Sequence, residues 1–422
     1  MKKLFISLIV IFNLISSAEA QGENSEWKIF GQVQIRGEVD ARDFSNSTNP
    51  FSFASLRTRL GAKKTLFNQV DFFVELSDSR LLGQEKNTSA SISNVDLYQG
   101  YIKLAELFGL PLDVQVGRFA MFYGNERFFG MSNWSYTGRS FDGIRFMIDP
   151  QNFALDLFVI THTQTLPYIG NATPSTYPIT ANRDHFIYGL RKNSFLDDLN
   201  SIEFISYYEY DKEFSKIIPD TLYLKRLTAS ATYAGKFDDL SLTVEAAYQL
   251  GKKNGRDLSA YMLALLADYN FDPMKLGFGA DIFSGTKPDE VKKDNSFETN
   301  YGTGHKFFGY MDYFINIPSN TKGLGINNFY LTSSYRFPDS KFSAQINAHH
   351  FMANQKSLAG ELTFGQEIDL VVKYDFIKGT TINWGGSVFL PGDLMKSFWK
   401  IGTNERKDPS FWTYLMVTAN IN

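Results

Sequence analysis

Apolar and polar residues alternate along much of this 422-residue chain. Between residues 240 and 250 every second position is apolar: Leu240, Leu242, Val244, Ala246, Tyr248 and Leu250. The stretches 261–269, 276–282 and 368–374 follow the same rule. Successive side chains of a β-strand point to opposite faces, so a period of two predicts strands with one apolar and one polar face.

Eighteen segments are long enough and patterned well enough to be strands. They lie near residues 27–39, 53–64, 70–80, 94–104, 112–120, 139–149, 153–162, 185–192, 200–211, 222–235, 240–250, 260–271, 275–284, 326–337, 341–352, 363–376, 381–391 and 411–421. The pattern is weakest at 94–104 and 185–192, so sixteen strands is the alternative count.

The connections between these segments alternate in length. Every second one is short: Thr65–Gln69, Ala105–Pro111, Pro150–Asn152, Lys236–Asp239, Asp272–Met274 and Ile377–Thr380. The others are long and polar, and the longest runs from Gly285 to Gly325. Short periplasmic turns and long extracellular loops are typical of outer-membrane barrels, and an even strand count places both termini in the periplasm. The sequence therefore predicts an all-β, antiparallel transmembrane barrel in the bacterial outer membrane.

A soluble all-β protein is the competing interpretation of the alternation. Its strands would be shorter than the roughly ten residues that a tilted strand needs to cross a membrane. Aromatic residues also gather at strand ends on the apolar side: Tyr208, Tyr210, Tyr248, Tyr261, Phe271, Tyr335, Phe337, Trp412 and Tyr414. Such residues form girdles at the two membrane interfaces, which favours the barrel.

The first twenty residues have the layout of a secretory signal peptide. Lys2 and Lys3 form a basic start, Leu4–Ile15 is apolar, and Ala18-Glu19-Ala20 is a small-x-small cleavage site. We therefore predict that residues 1–20 are removed and that residues 21–422 form a single barrel domain.

Composition agrees with an exported barrel and excludes several other classes. The chain has 39 Phe and 22 Tyr, yet its mean hydropathy is only -0.22, so the rings are interleaved with polar residues. It has no cysteine, which excludes disulfides and cysteine-ligated metals. The net charge of -3 offers no excess of cations for nucleic acid.

Motifs of enzymes and metal sites are missing from the sequence. Neither His-Glu-x-x-His nor Gly-x-Ser-x-Gly occurs. His349 and His350 are neighbours on one strand, so they face opposite sides and cannot share a metal. We therefore predict no catalytic activity, no metal and no cofactor.

The polar face of the strands carries charges of both signs, including Arg57 and Arg59 on the second strand. A barrel of 16–18 strands leaves a channel too wide for side chains to fill, so we expect these charges to face water. They would either form ion pairs that hold the wall in shape, or include a local ring of arginines that selects anions.

One segment departs from the balance of charge. Between residues 117 and 145 lie four arginines and two acidic residues: Arg118, Arg127, Arg139, Arg145, Glu126 and Asp142. The loop between the predicted strands 112–120 and 139–149 has six aromatic residues: Phe122, Tyr123, Phe128, Phe129, Trp134 and Tyr136. Arginines beside rings can bind carboxylates and stack on sugars. The rings could instead only pack the loop over the barrel.

This segment resembles the alginate-export family of outer-membrane porins. The residues that carry the likeness are Val116-Gly117-Arg118, Tyr123-Gly124-Asn125-Glu126-Arg127, Gly130, Trp134 and the run from Gly138 to Arg145. A second stretch, from Gly304 to Asp312, resembles a loop motif of the same family.

The resemblance implies an 18-stranded monomeric barrel with an arginine-rich constriction through which a polyuronate is exported. Carried over by position, the constriction arginines are Arg118, Arg127, Arg139 and Arg145, with Glu126 and Asp142 as their partners. Tyr123, Trp134 and Tyr136 are the aromatic candidates beside them.

These observations together predict a channel that passes polar, anionic or sugar-like solutes by diffusion. The alternatives are a general small-molecule porin and a non-conducting structural or adhesin barrel. Expected partners are outer-membrane lipid, anionic polysaccharide or small polar solutes, and periplasmic export proteins, but not nucleic acid. The identity of the solute, the direction of flow and the position of loop 285–325 stay open at this stage.

Overall fold

The computed structural model describes residues 26–85, 94–163, 183–213, 221–400 and 406–421. The predicted signal segment 1–20 lies outside these ranges. Within them, eighteen long strands follow one another along the chain: β1 (Lys28–Ala41), β2 (Phe51–Leu66), β3 (Val70–Leu81), β4 (Val95–Leu104), β5 (Asp113–Phe119), β6 (Phe141–Ile148), β7 (Phe153–Thr163), β8 (Arg183–Phe195), β9 (Ser201–Glu213), β10 (Thr221–Phe237), β11 (Leu240–Lys253), β12 (Arg256–Phe271), β13 (Met274–Phe283), β14 (Ile326–Arg336), β15 (Phe342–Met352), β16 (Thr363–Ile377), β17 (Thr380–Pro391) and β18 (Ser410–Ile421).

Other regular structure in the described ranges is brief. It comprises a two-residue strand at Lys293–Asp294, 3-10 turns at Leu107–Gly109, Gly304–Lys306 and Ser319–Thr321, and helix α1 at Asp393–Phe398. No helix in the described part of the chain is long and apolar enough to cross a bilayer.

The eighteen strands close into one antiparallel barrel. Each pairs with its neighbours in sequence, and β1 also pairs with β18, from Gly31 opposite Ile421 to Ala41 opposite Phe411. Closure gives every strand two partners, so no row of backbone N–H and C=O groups is left at an edge. The prediction of an 18-stranded barrel is confirmed.

The end of the barrel that holds both termini has only short connections, as predicted. At the other end one connection differs from the prediction of long loops: Asn254 and Gly255 alone join β11 to β12. Both residues have positive φ, 50° and 77°. Asn-Gly is the usual pair for such a tight hairpin turn, so β11 and β12 continue where a loop was expected.

The two faces of the barrel follow the sequence alternation. On β11, Tyr248 and Leu250 are exposed on the outside, whereas Ala247 and Gln249 are buried inside. On β14, Leu331 is 61% exposed between Tyr330 and Thr332, which face the lumen. The outer band of Leu, Val, Ile and aromatic side chains is the surface that lipid would cover.

Two long connections fold into the barrel. We call residues 120–140 the first inward loop and residues 284–325 the second inward loop. Their rings pack on each other and on the wall, as where Phe129 stacks on Tyr301 and Phe314 packs on Phe351. The question of where loop 285–325 lies is therefore answered: it fills part of the lumen.

The inward loops change the environment of the lumen charges. The expectation that these charges face open water is wrong for many of them, because Arg57, Glu245, Asp281 and Glu367 are each at most 2% exposed. The loops cover these side chains, and the channel is narrower than eighteen strands alone would make it.

We expect a charge to be tolerated on the inner face of β14 but not on the outer face. Leu331→Arg should lower the free energy of unfolding in lipid vesicles by about 2–4 kcal/mol, since a guanidinium near the bilayer midplane is poorly solvated. Urea unfolding followed by tryptophan fluorescence measures this loss. Thr332→Arg, one residue along and facing the lumen, is the matched control and should lose less. Equal losses would contradict the assignment of the two faces.

Candidate functional site

The two inward loops are joined to each other by backbone hydrogen bonds. The N–H of Gly130 donates to the carbonyl of Tyr301 at 2.8 Å, and the N–H of Thr303 donates to the carbonyl of Glu126 at 2.9 Å. A Cβ at Gly302 would overlap the Arg127 carbonyl, so this approach requires glycine. The motifs 123–127 and 304–312, which are far apart in sequence, thereby form one inner wall.

Glu126 fixes the contact from the side chain as well. Its carboxylate accepts a hydrogen bond from the Thr303 hydroxyl at 2.7 Å, and the Lys306 ammonium lies 3.9 Å away. The positional carry-over implied that Glu126 pairs with an arginine. Among the described residues its partners are Thr303 and Lys306 instead, so Glu126 joins the two loops to each other.

Arg139 lies at the same junction. Its Nη1 donates to the carbonyl oxygens of Gly130 at 3.3 Å and Gly302 at 2.9 Å, and also to that of Tyr301. Burial lowers the pKa of the Arg139 guanidinium from its ordinary value. Carbonyl dipoles hold the side chain in place without cancelling its charge.

Arg57 and Arg59 of β2 are held in the same way by the first inward loop. Nη1 of Arg57 donates to the carbonyls of Asn133 and Ser135, both at 2.9 Å. Nη2 of Arg59 donates to the Thr137 carbonyl at 3.3 Å. Both side chains are buried inside the barrel, as their polar parity predicted.

Tyr98 joins these arginines into one group. The Arg59 guanidinium lies 3.6 Å from the centre of the Tyr98 ring, whose hydroxyl donates to the Arg139 carbonyl at 3.3 Å. Among the described residues, no carboxylate lies within 4.0 Å of a side-chain nitrogen of Arg57, Arg59 or Arg139. We call these three residues the arginine cluster.

The other predicted arginines of the lumen are neutralised. Nε of Arg127 lies 2.7 Å from Glu245 and its Nη2 lies 2.8 Å from Asp281. Burial opposes ionisation, but the attraction of Asp281 and Glu245 outweighs it and raises the pKa of Arg127. Arg145 forms an ion pair with Asp156 at 3.1 Å. Arg127 therefore joins the first inward loop to the wall, and Arg145 joins β6 to β7.

The prediction that Arg118 and Asp142 line the pore is wrong. They lie opposite each other on β5 and β6 and form a 2.7 Å ion pair. The side chains are 34% and 56% exposed, on the parity of the outward-facing Val116, while Phe119 and Phe141 face inward. The pair therefore lies on the outer surface, near the loop end of the barrel.

The three aromatic candidates have different environments. Trp134 stacks on His305 at 4.0 Å, with the Arg36 guanidinium 4.0 Å from its ring. Tyr123 is buried against Phe129 and Phe158, and burial raises the pKa of its hydroxyl. Tyr136 is partly exposed at the edge of the first inward loop. Packing therefore explains Tyr123 and covers both faces of the Trp134 ring, whereas Tyr136 retains accessible surface.

Sequence reasoning did not single out Tyr98, Arg36 or His305 for this site. Arg36 lies on the polar parity of its strand, which is a signal that could have found it. Tyr98 has the parity of the outward-facing Ile102 and faces inward because of a bulge in β4, which the alternation does not predict. His305 gives no such signal, because its stacking on Trp134 and its 2.7 Å contact with Asp312 depend on how the second inward loop folds. In the described ranges, no group of three or more acidic or histidine side chains is arranged to hold a metal.

Comparisons with known proteins agree with this geometry. The family described as Alginate export matches residues 26–400. Among solved structures, OccAB4 of Acinetobacter baumannii is similar over 95% of this chain and 99% of its own, with a TM-score of 0.60 and 11% identity. OccK8 (OprE) of Pseudomonas aeruginosa is similar over 94% and 98%, with a TM-score of 0.59 and 12% identity. No curated protein matches the sequence.

Those two structures are outer-membrane porins, and at this identity they support the fold alone. The family match supports the predicted resemblance independently, because it rests on sequence over most of the chain. The family match, on a chain that folds as a closed 18-stranded barrel, places it among proteins of the bacterial outer membrane.

Glu298, three residues before Tyr301, attaches the second inward loop to the wall. Its carboxylate lies 2.6 Å from Nη1 of Arg226 and 2.7 Å from Nζ of Lys253. Its backbone carbonyl also accepts a hydrogen bond from Gln249 at 2.8 Å. Burial opposes ionisation, but the attraction of Arg226 and Lys253 outweighs it and lowers the pKa of Glu298.

We expect this attachment to weaken in acid. A lowered pKa in the folded state means that the stabilisation is complete above about pH 4.3, the ordinary value for glutamate, and is lost as pH falls through the lower folded value. Closing and opening events in single-channel recordings should become more frequent below that pH. Glu298→Gln should show the frequent events already at pH 7.

Glu290→Gln is the matched control, because the Glu290 carboxylate accepts hydrogen bonds from the N–H groups of Lys292 and Lys293 in the same loop. It should keep the wild-type pH dependence. A wild-type event frequency that stays constant from pH 7 to pH 3 would rule out this role of Glu298.

Proposed function

Because the chain belongs to the alginate-export family and is an outer-membrane channel, we propose that it passes polar, anionic or sugar-like solutes by diffusion. The observation that carries this proposal is the arginine cluster, three lumen arginines with no carboxylate partner among the described residues. Their charge attracts anions because carbonyl oxygens hold them in position without cancelling it.

The position of the cluster supports a selecting role. Arg57, Arg59 and Arg139 lie where the first inward loop meets the wall, so a solute that passes the loops comes within range of their charge. The first inward loop covers Arg57 and Arg59, so they act on a passing carboxylate through the potential of their charge. Tyr136, which is partly exposed, adds ring surface nearby for the apolar side of a sugar.

We expect removal of any one cluster arginine to reduce anion preference. Arg57→Ala, Arg59→Ala and Arg139→Ala should each lower the anion-to-cation permeability ratio by up to about fivefold, since one charge about 4 Å from an ion contributes ~1 kcal/mol in water. The reversal potential across a KCl gradient in a planar bilayer measures the ratio.

Arg118→Ala is the matched control for this experiment. It removes the same charge from the outer face, where Asp142 already neutralises it, so the ratio should not change. If the ratio stayed at the wild-type value in all three cluster variants, the arginine cluster would have no selecting role.

The second candidate is a general porin for small polar solutes. The observation that favours it is the pairing of Arg127 with Glu245 and Asp281, and of Arg145 with Asp156, which removes half of the predicted constriction arginines from anion binding. Block of the ion current by a polyuronate, absent with an uncharged polymer of equal length, would favour the polyanion channel. Equal effects of the two polymers would favour the general porin.

A further inference from the structure

The outer wall of β10, β11 and β12 continues beyond the apolar band, because a tight turn joins β11 to β12 where a loop was expected. Exposed rings mark the borders of the band: Phe237, opposite Leu240, at the periplasmic end, and Tyr248, opposite Tyr261, towards the loop end. From Leu240 to Tyr248 the strand rises by about 27 Å, which is ~21 Å along the membrane normal at the usual tilt. This is close to the ~25 Å height of the apolar band of such barrels, so residues of β11 beyond Tyr248 lie at the level of lipid headgroups.

Two lysines lie at that level on the outside of the barrel. Lys225 of β10 and Lys252 of β11 are directly opposite each other. They have the parity of the exposed Leu227 and Leu250, so both side chains point away from the lumen. Lys252 comes four residues after Tyr248, about 10 Å further along the membrane normal.

The opposed lysines are only partly neutralised. Directly opposed residues have their Cβ atoms about 4.5–5.5 Å apart, and like charges there repel each other. Asp257 of β12 forms a 3.2 Å ion pair with Lys252, from the side away from Lys225. The other neighbour of Lys225 is Tyr210 of β9, and in the described part of the chain no carboxylate lies within 4.0 Å of the Lys225 ammonium. The row of four residues therefore has a net charge of one cation.

An anion bound between the two ammonium groups would remove their repulsion. It would have to come from the lipid side, because neither side chain faces the lumen. A phosphate suits this place, since its oxygens can accept hydrogen bonds from two ammonium groups that each have three N–H donors. The outer leaflet of a bacterial outer membrane presents such phosphates, carried by the headgroups of its glycolipid.

The surface below the lysines suits the rest of such a lipid. Leu227 and Leu250 are opposite each other, one step down the wall, and both are exposed. Tyr248 follows below them with its ring exposed and its hydroxyl 2.7 Å from the Ser259 hydroxyl. A lipid whose phosphate lies between the lysines would thus place its acyl chains on an apolar wall.

We propose that Lys225 and Lys252 bind one phosphate group of an outer-leaflet glycolipid on the outside of the barrel, with the acyl chains of that lipid lying along Leu227 and Leu250. The inference goes beyond the proposed function, because it concerns the lipid face and holds whatever solute passes through the lumen.

Lys192 of β8 provides a matched control on the same lipid face. It has the outward parity of Leu190, but it lies towards the periplasmic end of its strand. Its cross-strand neighbours are Leu155 and Phe204, so no second cation is opposite it. A phosphate at Lys192 would therefore meet one ammonium group instead of two.

The test uses the purified full-length barrel in detergent, with bound lipid counted by native mass spectrometry. The probes are bisphosphorylated lipid A and the same lipid after removal of both phosphates. We expect the wild type to bind the phosphorylated form at the lower concentration. Lys225→Gln and Lys252→Gln should each raise the half-saturating concentration about fivefold, since one lysine beside an anionic headgroup contributes ~1 kcal/mol.

A variant with the opposite expected effect separates binding from damage to the fold. Asp257→Asn releases Lys252 from its ion pair, so it should lower the half-saturating concentration of phosphorylated lipid A. Lys192→Gln should leave that concentration unchanged. The slower migration of every variant after heating in an SDS gel would confirm that each barrel is folded before the measurement.

Four results would overturn the proposal. Equal binding of the two lipids by the wild type would show that acyl chains alone are held. Wild-type affinity in the double variant Lys225→Gln and Lys252→Gln would place the lipid elsewhere. Weaker binding in Asp257→Asn would indicate a cation bridge through the carboxylate in place of direct contact with the lysines. Displacement of lipid A by an equal concentration of inorganic phosphate would show that the site takes the free anion.

Discussion

The pairing of β1 with β18 is the constraint on which the rest of this structure depends. In lipid, an unpaired backbone N–H or C=O costs several kcal/mol, so an open sheet of this width could not stay in a membrane. The eleven opposed residue pairs from Gly31–Ile421 to Ala41–Phe411 remove the last free edge. Once the sheet is closed, one face of every strand meets lipid and the other meets the lumen. This is why apolar and polar residues alternate along each strand.

Closure also leaves a wide interior, which the two inward loops partly fill. An interior bounded by eighteen strands is too wide for wall side chains to meet across it. The two inward loops occupy that space with buried rings such as Phe129 and Phe314, and they bind the wall through arginines. An arginine can bind loop carbonyls with several N–H groups at once, so the same residue type both anchors the loop and leaves charge in the channel.

The strands were predictable because their signal is local and repeated, and all eighteen are present. Asn254-Gly255 is a signal for a tight hairpin turn, but it lies in a stretch that the alternation of connection lengths predicts to be a long loop. Arg118 was placed in the pore by resemblance, although its parity with Val116 indicates the outside. The partners of Arg127 could not be predicted, because Glu245 and Asp281 are brought to it by the closure of the barrel.

Whether an arginine selects solutes in this channel depends on its partners more than on its presence. A guanidinium bound by carbonyl oxygens, as at Arg57 and Arg139, keeps a net charge whose potential extends into the lumen. A guanidinium between two carboxylates, as at Arg127, is enclosed by opposite charge, and its role is to fix the first inward loop to the wall. The same residue type therefore supplies a charge to the channel in one environment and a structural contact between loop and wall in the other.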